Sequence, residues 1–228
     1  MTFVIPQPDC TSLPVANSEH VFPVRRIFCI GRNYAEHTRE MGGSPEKTPP
    51  VFFTKPADAI VQSGSAIDYP QATRDLHHEV ELVLALKSGG TDIAPDDADA
   101  CIYGYAVGID FTRRDLQKAA KDAGAPWDVG KAFDNSAPCS AIVRADAAGN
   151  PANADIWLKV NGETRQSSNT SKMIWSIGET VAALSRLFEL KAGDLIYTGT
   201  PEGVAAVTSG DRIEAGVSNV GELTVAIR

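Results

Sequence analysis

Residues 79–86, Glu79-Val80-Glu81-Leu82-Val83-Leu84-Ala85-Leu86, decide how this chain folds. The run is short, aliphatic and free of Gly and Pro, which reads as a buried strand. Side chains alternate along a strand. Val80, Leu82, Leu84 and Leu86 therefore share one face, and Glu79, Glu81, Val83 and Ala85 share the other. Apolar residues on both faces imply burial on both. The two carboxylates then leave one face with Cα atoms roughly 6–7 Å apart. Buried anions side by side are costly unless something cancels their charge. A hard cation with oxygen ligands does so, and Mg²⁺ is the usual partner of carboxylates plus waters. The alternative is a wet strand end whose glutamates are solvated or paired with Lys or Arg. His77-His78, just upstream, read as packed or hydrogen-bonded residues rather than ligands.

Outward from this strand, the chain offers many short strands. Arg26 to Gly31 (RIFCIG), Val51 to Thr54, Ala106 to Phe111 and Leu195 to Thr198 each read as one. Ile156–Val160 and Glu163–Gln166 flank Asn161-Gly162, a strong hairpin signal. Asp211 to Arg228 alternates enough for two more. Helices are fewer: a turn or two in NYAEHTREM, Arg113 to Ala123, and an amphipathic Ser176 to Leu190 with Ile177, Val181, Leu184 and Leu187-Phe188 on one side. Strands do not alternate regularly with helices, so a doubly wound parallel sheet is excluded. The expectation is a β-rich α+β domain over 26–228, with residues 1–25 a Pro-containing, irregular N-terminal appendage. Gly42 to Pro50 (GGSPEKTPP) cannot be regular structure. Residues 33–50 thus read as a short helix on a mobile loop, a candidate lid.

The 228 residues carry a net charge of −8, with 43% hydrophobic and 22% charged residues. Such a chain can bury a sizeable core, and its acidity disfavours nucleic-acid binding. An anionic substrate would need positive charge gathered locally. The four cysteines, Cys10, Cys29, Cys101 and Cys139, match no zinc motif and read as reduced thiols, which points to the cytoplasm. The N-terminus lacks the pattern of a signal peptide, and no run approaches the ~20 apolar residues of a membrane span.

Two further features carry chemistry. Asp110 ends an apolar strand; it either caps the helix that follows or, with Thr112 available for that, is free for another role. His37 and Glu40, three apart in the lid helix, share a face. A carboxylate beside an imidazole fixes its tautomer and raises its basicity, which suits a general base; an ordinary solvated pair is the alternative.

Several segments fall in one order: Gly31-Arg32-Asn33-Tyr34 with His37 and Glu40; Phe53-Thr54-Lys55-Pro56; His78-Glu79-Val80-Glu81-Leu82; Asp110 with Arg114-Asp115 and Gln117; and Thr198-Gly199-Thr200-Pro201. Together they resemble the fumarylacetoacetate hydrolase family, in particular its small acylpyruvate hydrolase branch, from about Arg26 to the C-terminus. The resemblance implies a mixed β-roll with few helices and a homodimer. It implies Glu79, Glu81 and Asp110 as ligands of Mg²⁺, or alternatively Mn²⁺. It implies catalytic roles for His37, Glu40, Lys131 and Gln117, and substrate binding by Arg32, Arg114 and Thr200. The implied substrate is a small 2-oxo acid, an acylpyruvate such as fumarylpyruvate, hydrolysed at a carbon–carbon bond. Oxaloacetate decarboxylation, or isomerisation of an unsaturated 2-oxo diacid, uses the same kind of site. A non-catalytic β-rich binding protein is the third reading; it leaves His37 and Glu40 on a flap without a purpose.

Overall fold

The computed structural model describes residues 2–42, 47 and 49–228. Gly43, Ser44, Pro45, Glu46 and Thr48, which belong to the expected lid loop, lie outside the described residues. Strand Val80–Leu86 is buried along its whole length. It occupies the middle of an eight-stranded mixed sheet, between Asp194–Tyr197 and Ile102–Ile109, both antiparallel to it. Arg26–Gly31 and then Val51–Lys55 extend the sheet on one side; Ala137–Cys139 and Ile60–Gln62 extend it on the other. The expected split of side chains holds. Val80, Leu82, Leu84 and Leu86 enter the main core, with Ile156, Leu158, Ile213, Leu223 and Val225 from a second, five-stranded sheet. Val83 and Ala85 enter a separate core on the opposite face, with Ile27, Cys29, Leu195 and Tyr197. Each such buried aliphatic side chain contributes roughly 1.5–3 kcal/mol, so a strand buried on both faces fixes its own position in the sheet.

The five-stranded sheet contains the hairpin Asp155–Val160 and Glu163–Asn169. Asn161 and Gly162 take positive φ (53° and 81°), as the tight turn between them requires. Among the described residues, none of the five α-helices exceeds nine residues, which matches a β-roll with few helices.

Three expectations are corrected. Residues 1–25 are not irregular throughout: Ser12–Pro14 pairs with Val21–Pro23, and Leu13, Val15, Phe22 and Val24 are buried in the second core. The apolar alternation there covers a sheet face that would otherwise be wet. The amphipathic helix spans only Ile177–Ser185, opened by a capping box between Ser176 and Glu179. Leu187 and Phe188 fall beyond it and are exposed, Phe188 resting on Phe28 with ring centroids 5.1 Å apart. Glu79 precedes the strand proper, which starts at Val80.

Candidate active site

Sheet register brings the acids together. Val80 pairs with Ile109 and Glu81 with Gly108, so the next positions, Glu79 and Asp110, stand opposite each other; Asp110 N–H donates to Glu79 C=O at 2.8 Å. Paired residues of an antiparallel ladder point to one face. Carboxylate oxygens of Glu79, Glu81 and Asp110 all lie within 4.8 Å of one another, and all three residues are buried. Gly108 makes room beside them: a Cβ there would stand 2.4 Å from Tyr197 and 2.6 Å from Val83. Gly199, at φ +94°, lets the Thr198–Pro201 turn pass Asn33, where a Cβ would stand at 2.7 Å. Its N–H donates to Glu81 Oε2 at 2.7 Å.

The charge balance inside is more detailed than the spacing implied. Lys131 Nζ donates to Glu79 Oε2 (2.8 Å), Asp110 Oδ2 (2.6 Å) and Thr112 Oγ1 (2.6 Å). Arg114 Nη2 donates to Glu79 Oε1 at 2.5 Å. Burial alone would raise the Glu79 carboxyl, but Lys131 and Arg114 outweigh it and hold it well below the usual carboxylate range. Glu81 has no such cation. Burial, then the charges of Asp110 and Glu79, push it well above that range. Asp110 Oδ1 is 2.8 Å from Lys55 Nζ, but the angle leaves that buried oxygen without a hydrogen bond. Three buried carboxylates whose oxygens converge within 4.8 Å, with the Glu81 carboxyl outside ion-pair distance of any cation among the described residues, form a donor set that fits a hard divalent cation.

The same narrow cavity is lined by nine of the ten residues expected at the site: Arg32, His37, Glu79, Glu81, Asp110, Arg114, Gln117, Lys131 and Thr200. The tenth, Glu40, stands behind His37, with Oε2 at 3.2 Å from Nδ1. Glu40 also accepts from Gly203 N–H. Helix Ala35–Glu40 thus packs at the cavity beside the carboxylates, and Asn33 anchors its base: its side chain donates to Thr198 C=O (2.7 Å) and Trp175 C=O (3.1 Å) and accepts from Trp175 N–H (2.7 Å). Gln117 Oε1 accepts from Arg114 Nη1 at 2.7 Å, so its amide NH₂ is the part left for a ligand. Neither Asp110 nor Thr112 caps helix Arg114–Asp122, whose N-cap residue Arg113 makes no side-chain cap bond. His77 and His78 are hydrogen-bonded residues as expected, to Asp75 and Gln166. Burial above all lowers the His78 imidazole to about 4, so it is neutral.

Two site residues escape sequence reasoning. Lys55 ends strand Val51–Lys55 before Pro56 and is buried, donating to the C=O groups of Phe111 and Lys131. The segment Phe53-Thr54-Lys55-Pro56 helps to carry the resemblance, but its lysine was assigned no role; its place at an apolar strand end was a further signal. Gln166 is the single buried residue of strand Glu163–Asn169. Its Oε1 accepts from Val80 N–H (3.1 Å) and lies 3.0 Å from His78 Nδ1; its Nε2 donates to Thr200 Oγ1 (2.8 Å) and Pro201 C=O (2.9 Å). Nothing in the polar run Glu163–Asn169 marks it out.

The family described as fumarylacetoacetate (FAA) hydrolase, C-terminal, matches residues 26–228. A fumarylpyruvate hydrolase from a Ralstonia species is 47% identical over 176 residues, 77% of this chain and 91% of the relative. A mitochondrial oxaloacetate tautomerase from Rattus norvegicus is 44% identical over 196 residues, 86% of this chain and 88% of the relative. Among solved structures, fumarylpyruvate hydrolase from Pseudomonas aeruginosa, in complex with Mn²⁺ and pyruvate, is 48% identical and superposes with a TM-score of 0.97 over 99% of both chains.

Proposed function

The chain belongs to the fumarylacetoacetate hydrolase family, and from that premise we propose a hydrolase that adds water across a carbon–carbon bond of a 2,4-dioxo acid. Fumarylpyruvate is the substrate, and fumarate and pyruvate are the products. The observation that carries this reading is the His37–Glu40 pair packed beside the Glu79–Glu81–Asp110 cluster at one cavity. Those carboxylates hold Mg²⁺ or Mn²⁺. The cation supplies Lewis acidity at the 2-oxo acid end of the substrate.

The chain's own residues do the rest. Glu40 accepts at Nδ1 of His37, leaving Nε2 to take a proton from water. That water attacks the distal carbonyl. The Gln117 amide donates to the oxyanion, and the Lys131 ammonium, whose three N–H groups are held by Glu79, Asp110 and Thr112, stabilises it through its charge. Thr200 Oγ1 accepts from Gln166, so its hydroxyl proton is directed to the substrate carboxylate, which Arg114 also attracts. Collapse of the oxyanion breaks the carbon–carbon bond, releases the fumarate fragment and leaves the pyruvate fragment as a carbanion equivalent, which takes up the proton held on His37 Nε2. Residues 26–228 form the catalytic domain, 33–50 the lid, and 1–25 an appendage that covers one face of the large sheet. The enzyme acts in the cytoplasm, in keeping with four free cysteines. No helix among the described residues is long and apolar enough to cross a membrane. The enzyme works as a homodimer, in keeping with the exposed Phe188, which lines one surface cavity with Val51, Phe52 and Phe53 of the sheet-edge strand Val51–Lys55.

A second reading rests on the tautomerase relative: the same site moves a proton on oxaloacetate, decarboxylates it, or isomerises an unsaturated 2-oxo diacid. A substrate panel with Mg²⁺ or Mn²⁺ decides. Loss of the diketone absorbance of fumarylpyruvate with release of pyruvate is the expected result. Turnover of oxaloacetate alone would overturn the hydrolase reading.

A further inference from the structure

Two bases at this cavity have no task in the chemistry above. Helix Arg114–Asp122 carries Arg114, Gln117 and Lys121 at i, i+3 and i+7, one face of a helix. All three line the cavity. Arg114 and Gln117 hold each other, and Arg114 holds Glu79. Lys121 has no ion pair among the described residues. Its neighbour Asp122 pairs with Lys118 instead, and the Lys121 ammonium rests over the Trp127 ring, 5.7 Å from its centroid.

Arg32 lines the cavity too and likewise has no carboxylate partner among the described residues. Its backbone is left-handed, φ +62°, a conformation that costs a non-Gly residue roughly 1–2 kcal/mol. The Asn33 bonds to Trp175 and Thr198 hold it there. Burial pushes the Lys121 ammonium below its ordinary range, and the charge of Arg32 adds to that. Two exposed cations that repel each other in one cavity are an unfavourable arrangement. An anion between them removes the penalty.

We propose that Arg32 and Lys121 form a clamp for a second carboxylate, at the far end of the acyl chain, and so select dianionic acylpyruvates over those with a neutral tail. The clamp rests on the hydrolase reading: with the 2-oxo acid end at Glu79, Glu81 and Asp110, the acyl end must point elsewhere in the cavity, and these are its two unengaged cations. Both residues bind substrate and take no part in bond cleavage.

The test compares fumarylpyruvate with its analogue in which a methyl group replaces the terminal carboxylate, using the Mn²⁺-loaded full chain. Wild type, Arg32→Gln, Lys121→Gln, the double variant and Lys121→Arg are measured on both. The wild type is expected to prefer the diacid in kcat/KM. The double variant lowers that preference by about tenfold or more, through KM rather than kcat, and Lys121→Arg restores most of it. Added salt raises KM for the diacid more steeply in wild type than in the double variant. Lys121 is exposed, and an unshifted melting curve checks that its variants fold. If wild type hydrolyses both substrates and the double variant keeps the same preference, the clamp is wrong while the hydrolase stands. If wild type hydrolyses neither, the hydrolase reading falls and the clamp with it.

Discussion

Gln166→Leu tests whether one buried amide couples the stability of the fold to the shape of the site. The side chain is fully buried and serves four partners: Val80 N–H, His78 Nδ1, Thr200 Oγ1 and Pro201 C=O. Leucine keeps much of the volume and removes every polar contact. His78 and Thr200 can rotate toward other partners, but Val80 N–H and Pro201 C=O belong to fixed backbone. Each buried backbone group left unpaired costs about 1–3 kcal/mol, so the pair costs about 4 kcal/mol. For a chain of this size, about 1 kcal/mol corresponds to about 2–4 °C in Tm; the shift is therefore about 8–16 °C downward, read by circular dichroism at matched protein concentration. The site responds as well, because Val80 lies between two carboxylates of the candidate cation site and Pro201 ends the turn whose Gly199 N–H holds Glu81. Mn²⁺ affinity, measured by electron paramagnetic resonance, is expected to weaken several-fold. Gln166→Glu retains the acceptor for Val80 N–H but sets a carboxylate oxygen against Pro201 C=O, so it also destabilises. A Tm within about 2 °C of wild type for Gln166→Leu, with unchanged Mn²⁺ binding, would refute the coupling.

Other substitutions separate the parts of the site. Glu81→Ala is expected to abolish Mn²⁺ binding and hydrolysis together, and to remove the rise in Tm that Mg²⁺ gives the wild type; retained Mn²⁺ affinity would show that the carboxylates are not the cation site. His37→Ala keeps Mn²⁺ binding and lowers kcat by about 10²–10⁴; hydrolysis at the normal rate would exclude His37 as the base. Gly108→Val drives a side chain into Tyr197 and Val83, 2.4 and 2.6 Å away, and is expected to lose about 3 kcal/mol or more in urea unfolding. Phe188→Asp places a charge on an exposed apolar side chain and is expected to shift sedimentation from the proposed dimer toward monomer; an unchanged profile would refute this patch as a dimer contact.

How far the sequence carried this picture depended on periodicity. Val80–Leu86 has an unmixed apolar pattern, so its two-faced burial was legible from its residues alone, and Asn161-Gly162 marked its hairpin by the positive φ that those residues tolerate. Register was not legible. That Glu79 faces Asp110 follows from the pairing of Val80 with Ile109, which links residues about thirty positions apart and is fixed by packing. The N-terminal strands were missed because Pro14 and Pro23 lie inside them, in a two-stranded edge pair where proline is tolerated. Leu187 and Phe188 were placed on a helix that stops at Ser185, since a helical period continues on paper after the backbone has turned. Lys55, quoted only as part of its segment, and Gln166 were given no role for a common reason: each is a polar residue whose partners come from distant elements, and no local pattern separates it from a solvated neighbour.

The electrostatics of the cavity also change the reason for expecting a cation. Buried acids side by side pointed to a metal because nothing else in the sequence was placed to balance them. In the fold, Lys131, Arg114 and Lys55 already stand against Glu79 and Asp110, and of the three carboxylates only Glu81 has no ion-pair partner among the described residues. Neutralisation alone therefore does not account for so many bases in one place. Counting Arg32 and Lys121, four lysine and arginine side chains line a cavity that holds three carboxylates, while Lys55 and Glu40 stand behind it. The chain as a whole carries −8 and repels small anions at long range. Within about a Debye length, ~8 Å at physiological salt, the cavity presents the opposite sign, and a bound divalent cation makes it more so. Such a local reversal attracts a dianion more strongly than a monoanion, in proportion to charge. A site meant only to hold a metal would gain by having fewer lysines beside its ligands, because each one competes with the cation for the same oxygens. Their presence is accounted for if the lysines hold the carboxylates in position until the cation arrives and then face an incoming anion.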